Sequence, residues 1–404
     1  MTQPTAHYDH VLVGGGMTAD AAATAIAEAT PDATVLIVSP DVDPPYTRPA
    51  LSKKLWTDPD YTQADNDLGT VEATGAELRL RTRVESIDRD ARTADLSDGT
   101  TVGWGSLLLA TGGTPTDLGL PEDDRVIAFR TAADYRRLRS LSGEGRHVAV
   151  VGGSWIGTEL AAALVQQGTR VSLVFPEDVL GAGVFPEELA TSFARRFEEA
   201  GVELVGGHRV GGGTVDDEGV HLSLEPAGDD HDAGDEPLDA DAVVLGLGIT
   251  PATGLAEAAG LAVEDGIVVD ATLRTDDPRV FAAGDVASYP DPILGRRRVE
   301  HVDNAKAQGA TVGRIMAGSD ERHEHTPYYY SKVFDLSYEA VGTLDASLET
   351  VVDRKGDDEA VAYYLDEGVV RGVLLWNVEG ARDAARAVLA DADRLTREDL
   401  PGRI

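Results

Sequence analysis

Residues 148–177, VAVVGGSWIGTELAAALVQQGTRVSLVFPE, constrain the fold more than any other stretch of the chain. The apolar run 148–151 has the length and β-branched character of a buried parallel strand. Gly152, Ser154 and Gly157 follow at G-x-G-x-x-G spacing, with serine in the middle slot. Residues 158–167 are rich in Ala and Leu and predict a helix, and Gly168 stands where a helix end asks for φ > 0. A second β-rich run, 171–175, leads to Glu177, twenty residues past Gly157. Strand, glycine turn, helix, strand and acid in this order describe a dinucleotide-binding unit. The glycines let the backbone approach a pyrophosphate, the helix N-terminus supplies amide hydrogens, and the acid meets a ribose 2′-hydroxyl.

Residues 8–39 hold a second copy of the pattern. A strand at 11–13 runs into Gly14-Gly15-Gly16, and Ala19 takes the place of the third glycine. An alanine-rich helix at 17–29 is stopped by Pro31, and 35–38 is the next strand. The acid that should follow is displaced: Pro40 fills its slot and Asp41 comes late. Two such motifs imply two nucleotides, FAD and NAD(P)H. The expected fold is α/β, with two Rossmann-type dinucleotide-binding domains and a small α+β C-terminal domain.

Composition narrows the chemistry. There is no cysteine, which removes disulfide frameworks, thiolate metal sites and thiol redox catalysis. Acidic residues number 71 against 35 basic, a net charge of −36. Five of the basic residues are lysine: Lys53, Lys54, Lys306, Lys332 and Lys355. Such a surface repels itself unless cations screen it, which points to a high-salt cytoplasm; an acidic partner surface is the other reading. Nucleic-acid binding is disfavoured, and the one basic run, Arg296-Arg297-Arg298, is too short to change that. No apolar run reaches the length of a membrane span, and MTQPTAHYDH lacks the regions of a signal peptide, so a cytoplasmic location is expected. His323 and His325 lack a third ligand in the sequence, so no metal site is expected. His231, in a loop rich in Asp and Gly, reads as a surface residue.

The segment 44–53, PPYTRPALSK, uses prolines to hold two cations at a set spacing. It resembles the loop-to-helix segment of the apoptosis-inducing factor family and the related ferredoxin reductases, on the pyridine nucleotide-disulfide oxidoreductase fold. Further likenesses are LLLATGG at 107–113, FRT at 129–131, VVLGLGITP at 243–251 and TDDPRVFAAGD at 275–285. LGRRRVEHVDNAKAQ at 294–308 and FDLSYEAVGTL at 334–344 resemble the apoptosis-inducing factor branch more closely. This family resemblance implies the boundaries 1–112 with 243–325 for a discontinuous FAD domain, 113–242 for the NAD domain, and 326–404 for the third. By position, the resemblance implies that Gly14, Gly16, Arg48, Lys53, Val84, Thr111, Gly112, Arg130, Asp285, His301 and Tyr330 hold FAD. It assigns Gly152, Ser154, Trp155, Ile156, Gly157, Glu159, Glu177, Gly248 and Glu300 to NAD. Lys53 is expected beside the reactive edge of the flavin, paired with Glu159, and these two are the catalytic candidates. Trp155 stands where an aromatic shields the flavin. Tyr330 replaces a tryptophan, and Lys332 stands where Asp is common.

Two function classes follow from the resemblance. One is an NADH-dependent FAD reductase passing electrons to a ferredoxin or quinone-like acceptor. The other is a redox sensor whose long-lived NADH charge-transfer complex recruits a partner. The resemblance leaves room for a homodimer.

Overall fold

A computed structural model of the chain describes residues 4–228 and 237–404; His231 lies outside the described residues. Two compact units emerge. The first comprises Met1–Arg48, Thr62–Thr114 and Thr250–Pro327; the second comprises Pro49–Tyr61, Pro115–Ile249 and Tyr328–Ile404.

In the first unit, strand Ala6–Val13 buries Val11, Leu12 and Val13 and pairs in parallel with Val35–Val38 on one side and Thr101–Leu109 on the other. Val280–Ala282 adds to Thr101–Leu109 in parallel, so strand ends from distant parts of the sequence finish together. The helix Met17–Ala29 leaves the glycine turn and packs on Val302–Met316. Small residues set that approach: a Cβ on Gly309 would lie 2.4 Å from Thr18 O, and one on Gly313 would lie 2.4 Å from Ala22 O. Residues 84–101, where Asp98-Gly99 signals a hairpin, make two turns. Strands Val84–Asp88 and Thr93–Leu96 pair antiparallel, and the Asp98-Gly99 turn then feeds Thr101–Leu109. The first of these turns gives no sequence signal, because Arg92, not a glycine, takes the positive φ of 56°.

In the second unit, five parallel strands run in the order Glu203–Val205, Arg170–Val174, His147–Val151, Ala242–Leu245, Val126–Ala128. The helix that follows the glycine turn spans Trp155–Gln166, so it starts three residues before the expected 158. Trp155 is therefore the first helical residue instead of part of the turn, and Glu159 falls in the second helical turn rather than the first. The reason is local: Ser154 is extended (φ −87°, ψ −172°) and acts as N-cap, which places Gly157 inside the first turn.

Residues 328–404 form a five-stranded antiparallel sheet, Tyr328–Val333, Leu336–Gly342, Val369–Trp376, Ala360–Asp366, Glu349–Arg354, followed by helix Arg382–Ala390. Phe185, Phe193, Tyr338 and Trp376 pack edge to face or stacked, with centroids 5.1–6.3 Å apart, and join this sheet to the Rossmann helices of the same unit. No helix of the described residues is long and apolar enough to cross a membrane.

Candidate functional site

Each unit contains a glycine cradle. In the first, Gly14 has φ +118°, and a Cβ there would lie 2.2 Å from Ala110 O. A Cβ on Gly15 would strike Ser39 Oγ at 2.6 Å. The helix then starts from Gly16, extended and without a side-chain cap, so its leading amides are left for a ligand. Arg48 borders Gly16, its Nε 3.9 Å from a built Cβ. Arg48 also lies over the Tyr46 ring at 5.2 Å, and Tyr46 donates to Asp41 at 3.0 Å. Asp41 is thus turned into its own loop, where it accepts from the Val42 amide at 2.7 Å. Gly284 meets Thr18 of the helix Met17–Ala29 and donates its amide to Gln308 Oε1 at 2.8 Å, which fixes the turn carrying Asp285. Thr111 donates to Ala252 O at 2.8 Å, and Gly112 has φ +64°. Val84 is buried in the core of this unit. His301 is the N-cap of Val302–Met316. Glu300 is bound by Arg298 at 2.5 Å, and Arg296 is spent on the carbonyls of Ser288 and Val269, so these two cations of the basic run are engaged internally.

In the second cradle Gly152 has φ +114°, and a Cβ there would lie 2.6 Å from Gly246 O. A Cβ on Gly157 would lie 1.8 Å from Gly152 O, so no side chain fits. Ser154 is exposed, Ile156 is 38% exposed and Trp155 is half-buried, resting on Tyr338 at 5.2 Å and Tyr329 at 5.7 Å. Glu177 lies just past strand Arg170–Val174, half-buried, with its carbonyl receiving the Gly207 amide at 2.9 Å. Gly248 has φ +82° with open space around it. Arg130 precedes the helix Ala132–Leu141, whose N-cap Thr131 forms a capping box with Asp134. Both cradles fit the pyrophosphate of a dinucleotide: at Gly14, Gly152 and Gly157 the space a Cβ would need is filled by backbone, and the helix starts are uncapped by side chains.

Lys53 and Glu159 meet in the second unit. Lys53 Nζ is 2.6 Å from Glu159 Oε1, with side-chain exposures of 18% and 3%. The segment that carries Lys53 is held by Trp56, which donates to Leu51 O at 2.6 Å, packs on Tyr135 at 5.2 Å and receives Gln167 on its carbonyl at 2.8 Å. Lys53 also faces the Tyr330 ring, 5.3 Å from its centroid. Burial and the Glu159 charge push the Tyr330 phenol up, and they push the fully buried Tyr338 phenol up further. Removing one member of a buried pair strands the other, a cost of about 3–5 kcal/mol.

Sequence reading missed two members of this group. Ser52 Oγ donates to Glu159 Oε2 at 2.5 Å, and Ser331 Oγ donates to Oε1 at 2.6 Å. They come from positions 107 before and 172 after Glu159, and no spacing rule joins residues so far apart. Their one signal is adjacency, Ser52 to Lys53 and Ser331 to Tyr330. His323 and His325 have ring centroids 6.3 Å apart, and His325 Nε2 is 2.6 Å from Asp303. Among the described residues no group of three acids or histidines could hold a metal.

Comparison with known proteins agrees with this geometry. The model of the family described as pyridine nucleotide-disulphide oxidoreductase matches residues 8–309. The ferredoxin–NAD(+) reductase component of the anthranilate 1,2-dioxygenase system of Burkholderia cepacia is 36% identical over 86% of this chain and 84% of its own length. Apoptosis-inducing factor 1 of Dictyostelium discoideum is 31% identical over 97% of this chain and 80% of its own. The solved ferredoxin reductase of Rhodopseudomonas palustris superposes with a TM-score of 0.84 at 28% identity, covering 96% of each chain. With two dinucleotide cradles in place and the family model covering most of its length, this chain belongs to the pyridine nucleotide-disulphide oxidoreductase family, whose members use FAD and NAD(H).

Proposed function

We propose that the protein passes electrons from NADH through FAD to a small iron–sulfur protein of the ferredoxin class. One observation carries the reading: two dinucleotide cradles occur in a chain with no cysteine. Held in the two cradles, NADH would supply a hydride and FAD would pass the two electrons on one at a time. Without a thiol in the chain, those electrons have no internal disulfide to reduce and must leave to an external acceptor. The likeness to a ferredoxin–NAD(+) reductase supports the ferredoxin class for that acceptor.

The roles follow from position. The first cradle, Arg48, Thr111, Gly112 and Asp285 are assigned to FAD, with Asp285 accepting from a ribityl hydroxyl. Val84, Arg130, His301 and Tyr330 are assigned to the same cofactor. The second cradle, Trp155 and Glu177 are assigned to NADH, Glu177 selecting a 2′-hydroxyl against a 2′-phosphate. Gly248 and Glu300 complete that assignment. Lys53, fixed by Glu159, supplies positive charge where negative charge develops on reduction. Residues 326–404 act as a third domain. The net charge of −36 requires screening, so the melting temperature should fall by on the order of 10 °C between molar and 0.1 M salt. An unchanged melting temperature removes the high-salt reading.

The test is anaerobic. The protein is reduced with one equivalent of NADH and mixed with a [2Fe–2S] ferredoxin. Reoxidation within the turnover time supports the proposal. The Dictyostelium relative favours a second reading, a redox sensor. A long-wavelength band that survives ferredoxin, quinone and air would select that reading and overturn the first.

A further inference from the structure

Glu159 is 4% exposed and accepts from three side-chain donors. Lys53 Nζ and Ser331 Oγ share Oε1, each at 2.6 Å, and Ser52 Oγ takes Oε2 at 2.5 Å. Ser52 is 2% exposed and Ser331 is fully buried. Most buried serines bond to backbone. Here two serines from separate segments donate to the same carboxylate. Tyr338 lies opposite Ser331 in the strand pair. A carboxylate held on both oxygens cannot rotate, and each bond to a charged group is stronger than a neutral one. The consecutive residues Ser52 and Lys53 grip opposite oxygens, so Lys53 is left one place to put its ammonium, 5.3 Å from the Tyr330 ring centroid.

We propose that Ser52 and Ser331 are positioning residues for hydride transfer: they lock the Glu159 carboxylate and thereby fix the charge of Lys53. This rests on the reading above that Lys53 stands at the flavin. Neither serine touches the reacting atoms; each acts through Glu159 and Lys53.

The experiment compares Ser331→Val with Ser331→Thr in the FAD-loaded protein. The two side chains have the same shape and differ in the hydroxyl. Valine should slow flavin reduction about tenfold, the scale of one hydrogen bond to a charged group, with NADH affinity unchanged. Threonine should stay within about twofold of wild type. Valine should also shift the flavin midpoint potential in the same direction as Lys53→Ala, by less, and make Lys53 several-fold more reactive to a pulse of acetic anhydride read by mass spectrometry. In a Lys53→Ala background it should do nothing further, since the serine acts through the lysine. Ser52→Ala removes an oxygen without adding bulk and gives the same readouts should the valine variant fail to fold. Equal losses in valine and threonine, or wild-type rates and reactivity in valine and in Ser52→Ala, overturn the inference alone. A Lys53→Ala protein reduced at the wild-type rate overturns the placement of the lysine and the inference with it.

Discussion

The two glycine cradles share a motif and differ in what covers it. In the first, the opening helical residues Met17, Thr18 and Ala19 are all buried, and Asp41, Tyr46 and Arg48 form a linked wall beside Gly16. In the second, Ser154 and Ile156 are exposed at the start of the helix and Trp155 is half-covered. The third motif residue differs as well. The first cradle accepts a methyl group at Ala19, whereas the second leaves no room for one at Gly157. The same backbone solution thus serves a closed seat and an open one. A closed seat suits a cofactor that stays; an open one suits a nucleotide that exchanges each turnover.

The sharpest way to break this contrast is Gly157→Ala. Its Cβ would fall 1.8 Å from Gly152 O, so the turn must move. Displacement on the order of 1 Å should cost about a hundredfold or more in NADH-dependent flavin reduction, while FAD, seated elsewhere, stays bound. Stopped-flow reduction and the absorbance of the gel-filtered protein read the two halves. Loss of FAD with NADH reduction retained would reverse the assignment of the cradles.

Next in size is Lys53→Ala. Losing the charge should slow reduction roughly 30-fold, about 2 kcal/mol, and lower the flavin potential with FAD still bound. Glu159→Ala should do less, and the double variant should resemble Lys53→Ala. Additive losses would show that the 2.6 Å pair does not act as a unit.

A pH test bears on the unit that holds the closed cradle. His323 is 3% exposed, and burial, helped by the His325 charge, pushes it down from 6.5 to about 4. Its folded value lies below its unfolded one, so the stability it contributes is complete above pH 6.5 and is lost as pH falls towards 4. The loss approaches about 3 kcal/mol, on the order of 1.4 kcal/mol per unit. Protonation of surface carboxylates works the other way by easing repulsion, so the comparison is with His323→Gln, by urea midpoints at pH 7.5 and pH 5. An identical pH dependence in both proteins would remove His323 from the account.

The smallest effect concerns nucleotide choice. Glu177→Arg should move the NADH-to-NADPH ratio of reduction rates at least tenfold towards NADPH, about 1.4 kcal/mol. An unchanged ratio would take Glu177 out of the open cradle.

How much of this was legible in the sequence depends on range. Local periodicity places helix Met17–Ala29 and strand Val35–Val38 at the limits the structure shows. At Trp155 it is late by three residues, because Gly157 reads as turn although an extended Ser154 has already started the helix. The Gly309 and Gly313 contact with Met17–Ala29 has a signal, two glycines four apart on one helix face, but nothing in it names the partner. The Lys53–Glu159 pair spans 106 residues, and position 53 points to position 159 through resemblance alone. The serines had neither spacing nor resemblance, and only folding brings residues 52, 159 and 331 onto one carboxylate.

The most direct measurement starts from protein purified in molar salt and gel-filtered free of small molecules. The account predicts one FAD retained per chain and no nicotinamide retained, bleaching by one equivalent of NADH without oxygen, and recolouring on addition of oxidised ferredoxin. A preparation that takes up no FAD, or keeps its colour with NADH, would contradict it.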